Sequence, residues 1–504
     1  MSSPAPDWLH HRATSTPRRC ALVARGRTWT FADLDDDASR WARRLGTLGV
    51  RAGDRVATLL HNGAAPAILV HALLRLGATL VPLNTRLSDP ELAWQLGDTA
   101  PKLLLVDGRT APAAARVRRE HPVLRVVSAD AGGATLLGEP PLETREETDV
   151  ALQLAHEHDD LLAIIYTSGT TGRPKGAMLT VGNFWWSAMG SALNLGVLPN
   201  DRWLACMPLF HVGGLSILLR AAIYGITAEV HDGFDERLVN DAIDNEGVTI
   251  VSVVATMLQR MLAERGGRGY PATLRCVLLG GGPAPRALLE RCAAQSIPVM
   301  QTYGLTETAS QVATLVPDDA LRKLGSAGRP LYPSEVRIAP RDGGASSDGT
   351  GEILVRGPTV MAGYAGRPEE SARTIVDGWL HTGDVGRLDD EGFLYVLDRR
   401  DDLIISGGEN VYPAEVESAL LAHPSVVEAG VVGAPDEQWG QRVVAVVRLA
   451  EGAAPHPSVD ELRDHCRMQL ASYKVPSEVR VVGEPLPRTA SGKLKRGELA
   501  AALR

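Results

Sequence analysis

A chain of 504 residues, 44% hydrophobic and 22% charged, is too long for one ordinary core and too apolar for disorder, so a large domain carrying a smaller one is expected. Its formal charge of −8, with arginines scattered along the chain, supplies no basic stripe for nucleic acid. Five cysteines, Cys20, Cys206, Cys276, Cys292 and Cys466, contain no Cys-x-x-Cys pair; they fit neither a disulfide framework nor a zinc site and point to a reducing cytoplasm.

The first residues mix Asp7, His10 and His11 with several arginines where a secretory leader needs an apolar stretch. Arg75 interrupts the most hydrophobic early segment, so no membrane span is expected. From Trp29 to about Leu83, helix-like stretches alternate with short apolar runs such as Val56 to Leu60, the pattern of an α/β fold. Between about Pro112 and Asp159 the periodicity fades and the sequence reads as a peripheral segment or loop. Strand-length apolar runs return at Leu161 to Tyr166, Thr249 to Val254 and Arg275 to Leu279. Such strands between amphipathic helices predict mostly parallel sheet covered on both faces, with ligands beyond the strand ends.

The charge cluster from Asp398 to Asp402 marks a boundary. It divides a large N-terminal α/β domain, residues 1–398, from a small α+β domain, residues 403–504, with 399–402 as connector. In the small domain a helix is expected from Pro413, strands at Val426 to Val432 and Val443 to Leu449, and a helix near Val459 to Leu470.

The strongest local signal is Tyr166-Thr167-Ser168-Gly169-Thr170-Thr171-Gly172-Arg173-Pro174-Lys175-Gly176, a strand running into a loop of small hydroxyl residues. Glycines let backbone N–H groups converge on an anion, hydroxyls add donors, and Lys175 adds positive charge for a triphosphate. The spacing is not that of a Walker A loop, since Lys175 is followed by Gly176. Downstream come Gly280-Gly281-Gly282-Pro283, Gln301-Thr302-Tyr303-Gly304-Leu305-Thr306-Glu307-Thr308 after the apolar run Ile297 to Met300, and Trp379-Leu380-His381-Thr382-Gly383-Asp384. A hydroxyl beside a carboxylate can hydrogen-bond a phosphate and hold Mg²⁺, and an aspartate can accept from both ribose hydroxyls.

Together these motifs resemble the adenylate-forming superfamily of acyl-CoA synthetases, nonribosomal peptide adenylation domains and firefly-type luciferases, over nearly the whole chain. The resemblance implies a small C-terminal domain that is mobile and turns about Asp401, with ATP, Mg²⁺ and coenzyme A as co-substrates. It assigns Thr167, Ser168, Gly169, Thr170, Thr171, Gly172 and Lys175 to the phosphates, Gly281, Gly282 and Pro283 to the adenine, and Gln301, Thr302 and Tyr303 to the base. Thr306 falls to the α-phosphate, Glu307 to Mg²⁺, and Asp384 and Arg399 to the ribose. Lys493, in Ser491-Gly492-Lys493, is implied to be the catalytic lysine of adenylation.

Within the superfamily, Met207-Pro208-Leu209-Phe210-His211-Val212-Gly213-Gly214-Leu215-Ser216, Thr308-Ala309-Ser310-Gln311 and Lys323-Leu324-Gly325-Ser326-Ala327-Gly328 resemble the o-succinylbenzoate:CoA ligase family of menaquinone biosynthesis. That substrate carries two carboxylates, only one of which is activated. Arg220, one helical turn beyond Ser216, is the candidate partner of the idle one, against the competing reading of a solvent-facing arginine. His211 is expected to line or gate the acid pocket, with Ser216, Thr256, Ser310 and Gln311 adding polar contacts. Ligases of fatty or simple aryl acids and carrier-protein-loading enzymes share the same motifs and remain open at this point, as does homo-oligomer formation.

Overall fold

The computed structural model describes residues 4–167, 174–281, 284, 286–340, 349–398, 403–450, 457–487 and 494–503. The chain forms two compact units, the first comprising Met1–Thr85, Asp98–Ile165 and Gly176–Leu397, the second Arg86–Gly97, Tyr166–Lys175 and Asp398–Arg504.

The first unit is built on two large sheets. In a seven-stranded sheet the strands Arg55–Leu59, Thr79–Pro82, Leu103–Val106, Arg125–Ser128 and Leu161–Thr167 run parallel, and the pair Lys175–Thr180 and Gly363–Tyr364 at one edge is antiparallel. A nine-stranded sheet runs Cys20–Ala24, Thr227–Val230, Arg202–Ala205, Ile250–Val253, Cys276–Leu279 and Val299–Leu305 parallel, with antiparallel strands at both edges. The central strands are buried throughout, which is why they read as unbroken apolar runs. A smaller antiparallel sheet includes Gly351–Arg356 and Trp379–Leu388.

The reading of a peripheral segment or loop between about Pro112 and Asp159 is corrected in its loop part, since the segment carries regular structure at one edge of the seven-stranded sheet. Helices Ala111–Val117 and Ala131–Leu137 flank the strand Arg125–Ser128, which pairs in parallel with Leu103–Val106. Helices of two turns are too short to imprint a period on the sequence, although Val117, Leu124, Val126 and Val127 are all buried.

Arg75, which interrupts the early apolar run, is fully buried. Its guanidinium donates to Asp7 Oδ1 at 3.0 Å and Ser39 Oγ at 2.7 Å, and it also pairs with Asp35. Such a charge is tolerated in a core only when its donors are satisfied in this way.

Two helices of this unit matter for the site. Val181–Leu195 starts at a reciprocal cap between Thr180 and Asn183, the Thr180 hydroxyl accepting from Asn183 N–H and the Asn183 side chain accepting from Thr180 N–H. Val212–Tyr224 is apolar nearly all round because nearly all of it is buried, and it ends at Gly225, whose φ of 74° suits a glycine cap.

In the second unit, Glu409–Val411, Ile404–Ser406, Gly440–Leu449 and Val426–Asp436 form an antiparallel sheet, with Glu478–Val482 added in parallel, and the helices Pro413–Leu421 and Val459–Arg467 pack on it. Lys474, almost fully buried, bridges Glu91 at 2.5 Å and Glu415 at 2.7 Å. The fold is thus of mixed α/β class with a small α+β unit, as expected. Among the described residues no helix is long and apolar enough to cross a membrane.

Candidate active site

The strand Val299–Leu305 carries the Gln301 to Leu305 part of the second signature, so this motif lies within a strand instead of following one. It pairs in parallel with Cys276–Leu279, Leu279 opposite Gln301, and antiparallel with Ser310–Leu315, Tyr303 opposite Ala313. A register shift between Tyr303 and Gly304 turns the chain into a single 3-10 turn, Thr306–Thr308. Beyond it Ala309 and Ser310 hold φ of 51° and 101°, and Ala309 N–H donates to Thr306 O at 3.0 Å. Thr308 Oγ1 accepts the Leu305 N–H at 3.0 Å, closing the turn on itself. A Cβ at Gly304 would lie 1.6 Å from the Ser310 carbonyl oxygen, so this close approach requires glycine.

The side chains on this frame are oriented by long-range bonds. Tyr303 Oη donates to Asp384 Oδ2 at 2.7 Å, both groups being buried. Asp384 sits on the strand Trp379–Leu388, and its N–H donates to Thr382 Oγ1 at 3.0 Å. Tyr364 Oη donates to Glu307 Oε1 at 2.9 Å, and Met361 N–H donates to the Glu307 carbonyl, also at 2.9 Å. Thr302 Oγ1 donates to Ala313 O at 2.9 Å. Gly281, at φ 80°, follows the neighbouring strand, where a Cβ on Gly280 would meet Thr302 at 3.0 Å.

Tested against a nucleotide, these residues fit. Gln301 Nε2 is buried and finds no partner among the described residues, opposite Leu279 where the neighbouring strand ends and gives way to glycine backbone, which suits an acceptor on a planar base. One carboxylate, Glu307, beside one hydroxyl, Thr306, is what Mg²⁺ arriving on a triphosphate needs.

Three of the acid-pocket candidates, His211, Ser216 and Arg220, lie on or at the start of the helix Val212–Tyr224. His211 is its N-cap residue, with its ring centroid 4.6 Å from that of Phe210. Ser216 is buried and its hydroxyl finds no partner among the described residues. Arg220 is 2% exposed, which excludes the solvent-facing reading. Its Nη2 donates to Ser187 Oγ at 3.1 Å and its guanidinium lies 5.5 Å from the Trp203 ring centroid, but among the described residues no carboxylate pairs with it. Burial pushes its pKa down, the direction expected of a cation whose charge the fold leaves without a partner. Both amide atoms of the buried Gln311 are likewise without partners among the described residues. Ser310 and Thr256 are partly buried, the latter at the start of the helix Ala255–Arg265.

Thr167 ends the strand Leu161–Thr167, and Lys175, largely buried, opens Lys175–Thr180. Ser168, Gly169, Thr170, Thr171, Gly172, Gly282, Pro283, Arg399, Asp401 and Lys493 lie outside the described residues. Sequence reasoning missed Tyr364 and Ser187. Tyr364 belongs to no motif, and the only sign of Ser187 is a small polar residue within an apolar helical stretch.

The chain matches the AMP-binding enzyme family over residues 9–365 and the C-terminal domain of AMP-binding enzymes over residues 415–493. The chain belongs to the AMP-binding enzyme family. This AMP-binding enzyme is 51% identical over 494 residues to the 2-succinylbenzoate–CoA ligase of Geobacillus kaustophilus, covering 98% of this chain and 97% of that one. It is also similar to o-succinylbenzoate CoA synthetase of Bacillus subtilis. A double mutant of that enzyme bound to its product analogue OSB-NCoA superimposes with a TM-score of 0.91 at 44% identity, covering 99% of both chains. The complex with the acyl-adenylate intermediate OSB-AMP gives 0.75 at 44% identity, covering 99% of this chain and 98% of that chain. The complex with ATP and magnesium ion gives 0.73 at 44% identity, covering 99% and 100%.

Proposed function

We infer that the protein is an AMP-forming acid:CoA ligase that activates o-succinylbenzoate with ATP, releases pyrophosphate, and passes the acyl group to coenzyme A with loss of AMP. The observation that carries the choice of acid is Arg220. A buried guanidinium with no carboxylate partner among the described residues is costly by several kcal/mol unless a ligand anion completes it. A dicarboxylate meets that need: one carboxylate seats on Arg220 while the other reacts. Ser216 and Gln311, buried with unpartnered polar atoms, add hydrogen bonds to such a polar acid, and His211 borders its entrance.

In the first step the carboxylate of the succinyl arm attacks the α-phosphorus in line, so catalysis is mainly positioning and charge neutralisation. Asp384 accepts from the ribose hydroxyls, and the Tyr303 hydrogen bond that orients it supports this role. Thr306 donates to the α-phosphate. Glu307 holds the cation, a role supported by its hydrogen bond from Tyr364, which fixes a hard oxygen donor. Bound Mg²⁺ supplies charge neutralisation on the phosphate oxygens. Thr167, Lys175 and the hydroxyl-rich loop between them cradle the phosphates, and Lys493 neutralises the charge that develops at the α-phosphoryl group. In the second step the CoA thiol attacks the adenylate carbonyl after the small domain has turned about the 399–402 connector.

Mass spectrometry of the products formed from ATP, CoA and o-succinylbenzoate tests the assignment. o-Succinylbenzoyl-CoA with stoichiometric AMP and pyrophosphate is expected, and turnover of fatty or simple aryl acids with none of this one would refute it.

A further inference from the structure

We propose that Ser187 is a positioning residue that couples recognition of the acid's non-reacting carboxylate at Arg220 to the nucleotide-binding turn beginning at Thr306; this rests on the o-succinylbenzoate reading above. Ser187 is buried within the helix Val181–Leu195, and its hydroxyl is engaged on both sides. It accepts from Arg220 Nη2 at 3.1 Å and donates to the Ala309 carbonyl at 2.7 Å.

On the Arg220 side, the guanidinium lies over Trp203, whose indole N–H is itself fixed on Ser252 Oγ at 2.9 Å. The ring is fully buried, so the cation has a rigid floor. On the nucleotide side, Ala309 holds a left-handed φ of 51° and Ser310 a φ of 101°, conformations that residues with a Cβ leave unless the surroundings hold them. The Ser187 hydroxyl is one such restraint, because it binds the Ala309 carbonyl while the Ala309 N–H binds the Thr306 carbonyl. The same helix reaches the turn a second way. Asn183 Nδ2 donates to the carbonyls of Pro358 and Val360 at 2.9 and 2.8 Å, and the next residue, Met361, donates its N–H to the Glu307 carbonyl.

The helix therefore grips the turn that bears Thr306 and Glu307, and among the described residues its polar contact with Arg220 is made by Ser187. An anion seated on Arg220 fixes the guanidinium, the guanidinium fixes the hydroxyl, and the hydroxyl fixes the carbonyl that sets the turn. The site is then best ordered for ATP when the correct dicarboxylate is present, which discriminates against acids lacking the second carboxylate.

The test measures pyrophosphate release from o-succinylbenzoate and from 4-oxo-4-phenylbutanoate, the same keto acid without its ring carboxylate, for the parent enzyme, Ser187→Ala, Ser187→Thr and Arg220→Ala. Ser187→Ala is expected to lower kcat/KM for o-succinylbenzoate about ten-fold and to raise KM for ATP measured with that acid. With the analogue, which leaves Arg220 without its anion, both effects should be clearly smaller, and Ser187→Thr, which keeps the hydroxyl, should restore most of the loss. An equal loss with both acids, or no loss, overturns the coupling. If Arg220→Ala abolishes the preference for o-succinylbenzoate and Ser187→Ala leaves that preference unchanged, the Arg220 reading stands and the coupling falls. If Arg220→Ala leaves the preference intact, both fall. Should Ser187→Ala fail to fold, Ser187→Cys, of similar shape but a weak donor, is read in the same way.

Discussion

Tyr303 Oη donates to Asp384 Oδ2 across 2.7 Å, joining the strand Val299–Leu305 to the strand Trp379–Leu388 inside the first unit. Tyr303 thus contributes a hydroxyl that aims a buried carboxylate. Tyr303→Phe keeps the ring and removes that bond, and hydrogen bonds to charged groups are worth about 1.5–3 kcal/mol. KM for ATP is expected to rise at least about ten-fold with kcat little changed, read from initial rates of pyrophosphate release. An unchanged KM would mean that Asp384 is oriented by other groups.

Gly304 and Ser310 approach so closely that a methyl group at 304 would sit 1.6 Å from the Ser310 carbonyl oxygen. Backbone must move to admit it. Gly304→Ala is expected to destabilise the first unit by about 3 kcal/mol or more and to abolish ATP binding, measured by chemical denaturation and by isothermal titration with ATP.

Lys474 lies between Glu91 and Glu415 in the second unit. Burial pushes the Glu415 carboxyl up, opposed by Lys474 and helped by Glu91, while the two carboxylates together keep the Lys474 pKa above its ordinary value against its own burial. Lys474→Met leaves two buried carboxylates facing one another, a loss of roughly 3–5 kcal/mol by analogy with broken buried ion pairs. Calorimetry should show a lower transition temperature, and the double variant with Glu415→Gln should recover part of it.

His71 is held neutral by burial, which pushes its pKa down to about 4 from 6.5, against the charges of Asp7 and Asp35 and alongside Arg75 and His156. A depressed folded-state pKa means that the unfolded chain binds the proton more readily. Its contribution is fully present above pH 6.5 and is lost as pH falls toward 4, by roughly 3 kcal/mol in all. Asp7 is depressed too, its Arg75 and His156 contacts outweighing burial, and it extends the loss to lower pH. His71→Leu should flatten the melting temperature between pH 6.5 and 4 while leaving the acid limb due to Asp7.

Much of the sheet framework was legible, because buried parallel strands such as Leu161–Thr167, Ile250–Val253 and Cys276–Leu279 write themselves as apolar runs. Strands built from polar residues were not. Gln301, Thr302 and Gly304 carry no strand signature, yet pairing with Cys276–Leu279 and Ser310–Leu315 extends the strand through Leu305. Asp384, which follows a glycine and so reads as a turn residue, belongs to a strand of ten residues for the same reason.

The motifs alone pointed to acid:CoA ligase chemistry, since the residues expected at the phosphates, the cation and the ribose each lie within one short segment. Tertiary structure decided what those motifs lean on. Nothing local distinguishes a buried Arg220 from an exposed one, or tells Ser187 from any other serine on a helix, because burial and partner are set by helices and strands packed from distant parts of the chain. Helical periodicity says which residues share a face; only packing says what that face meets.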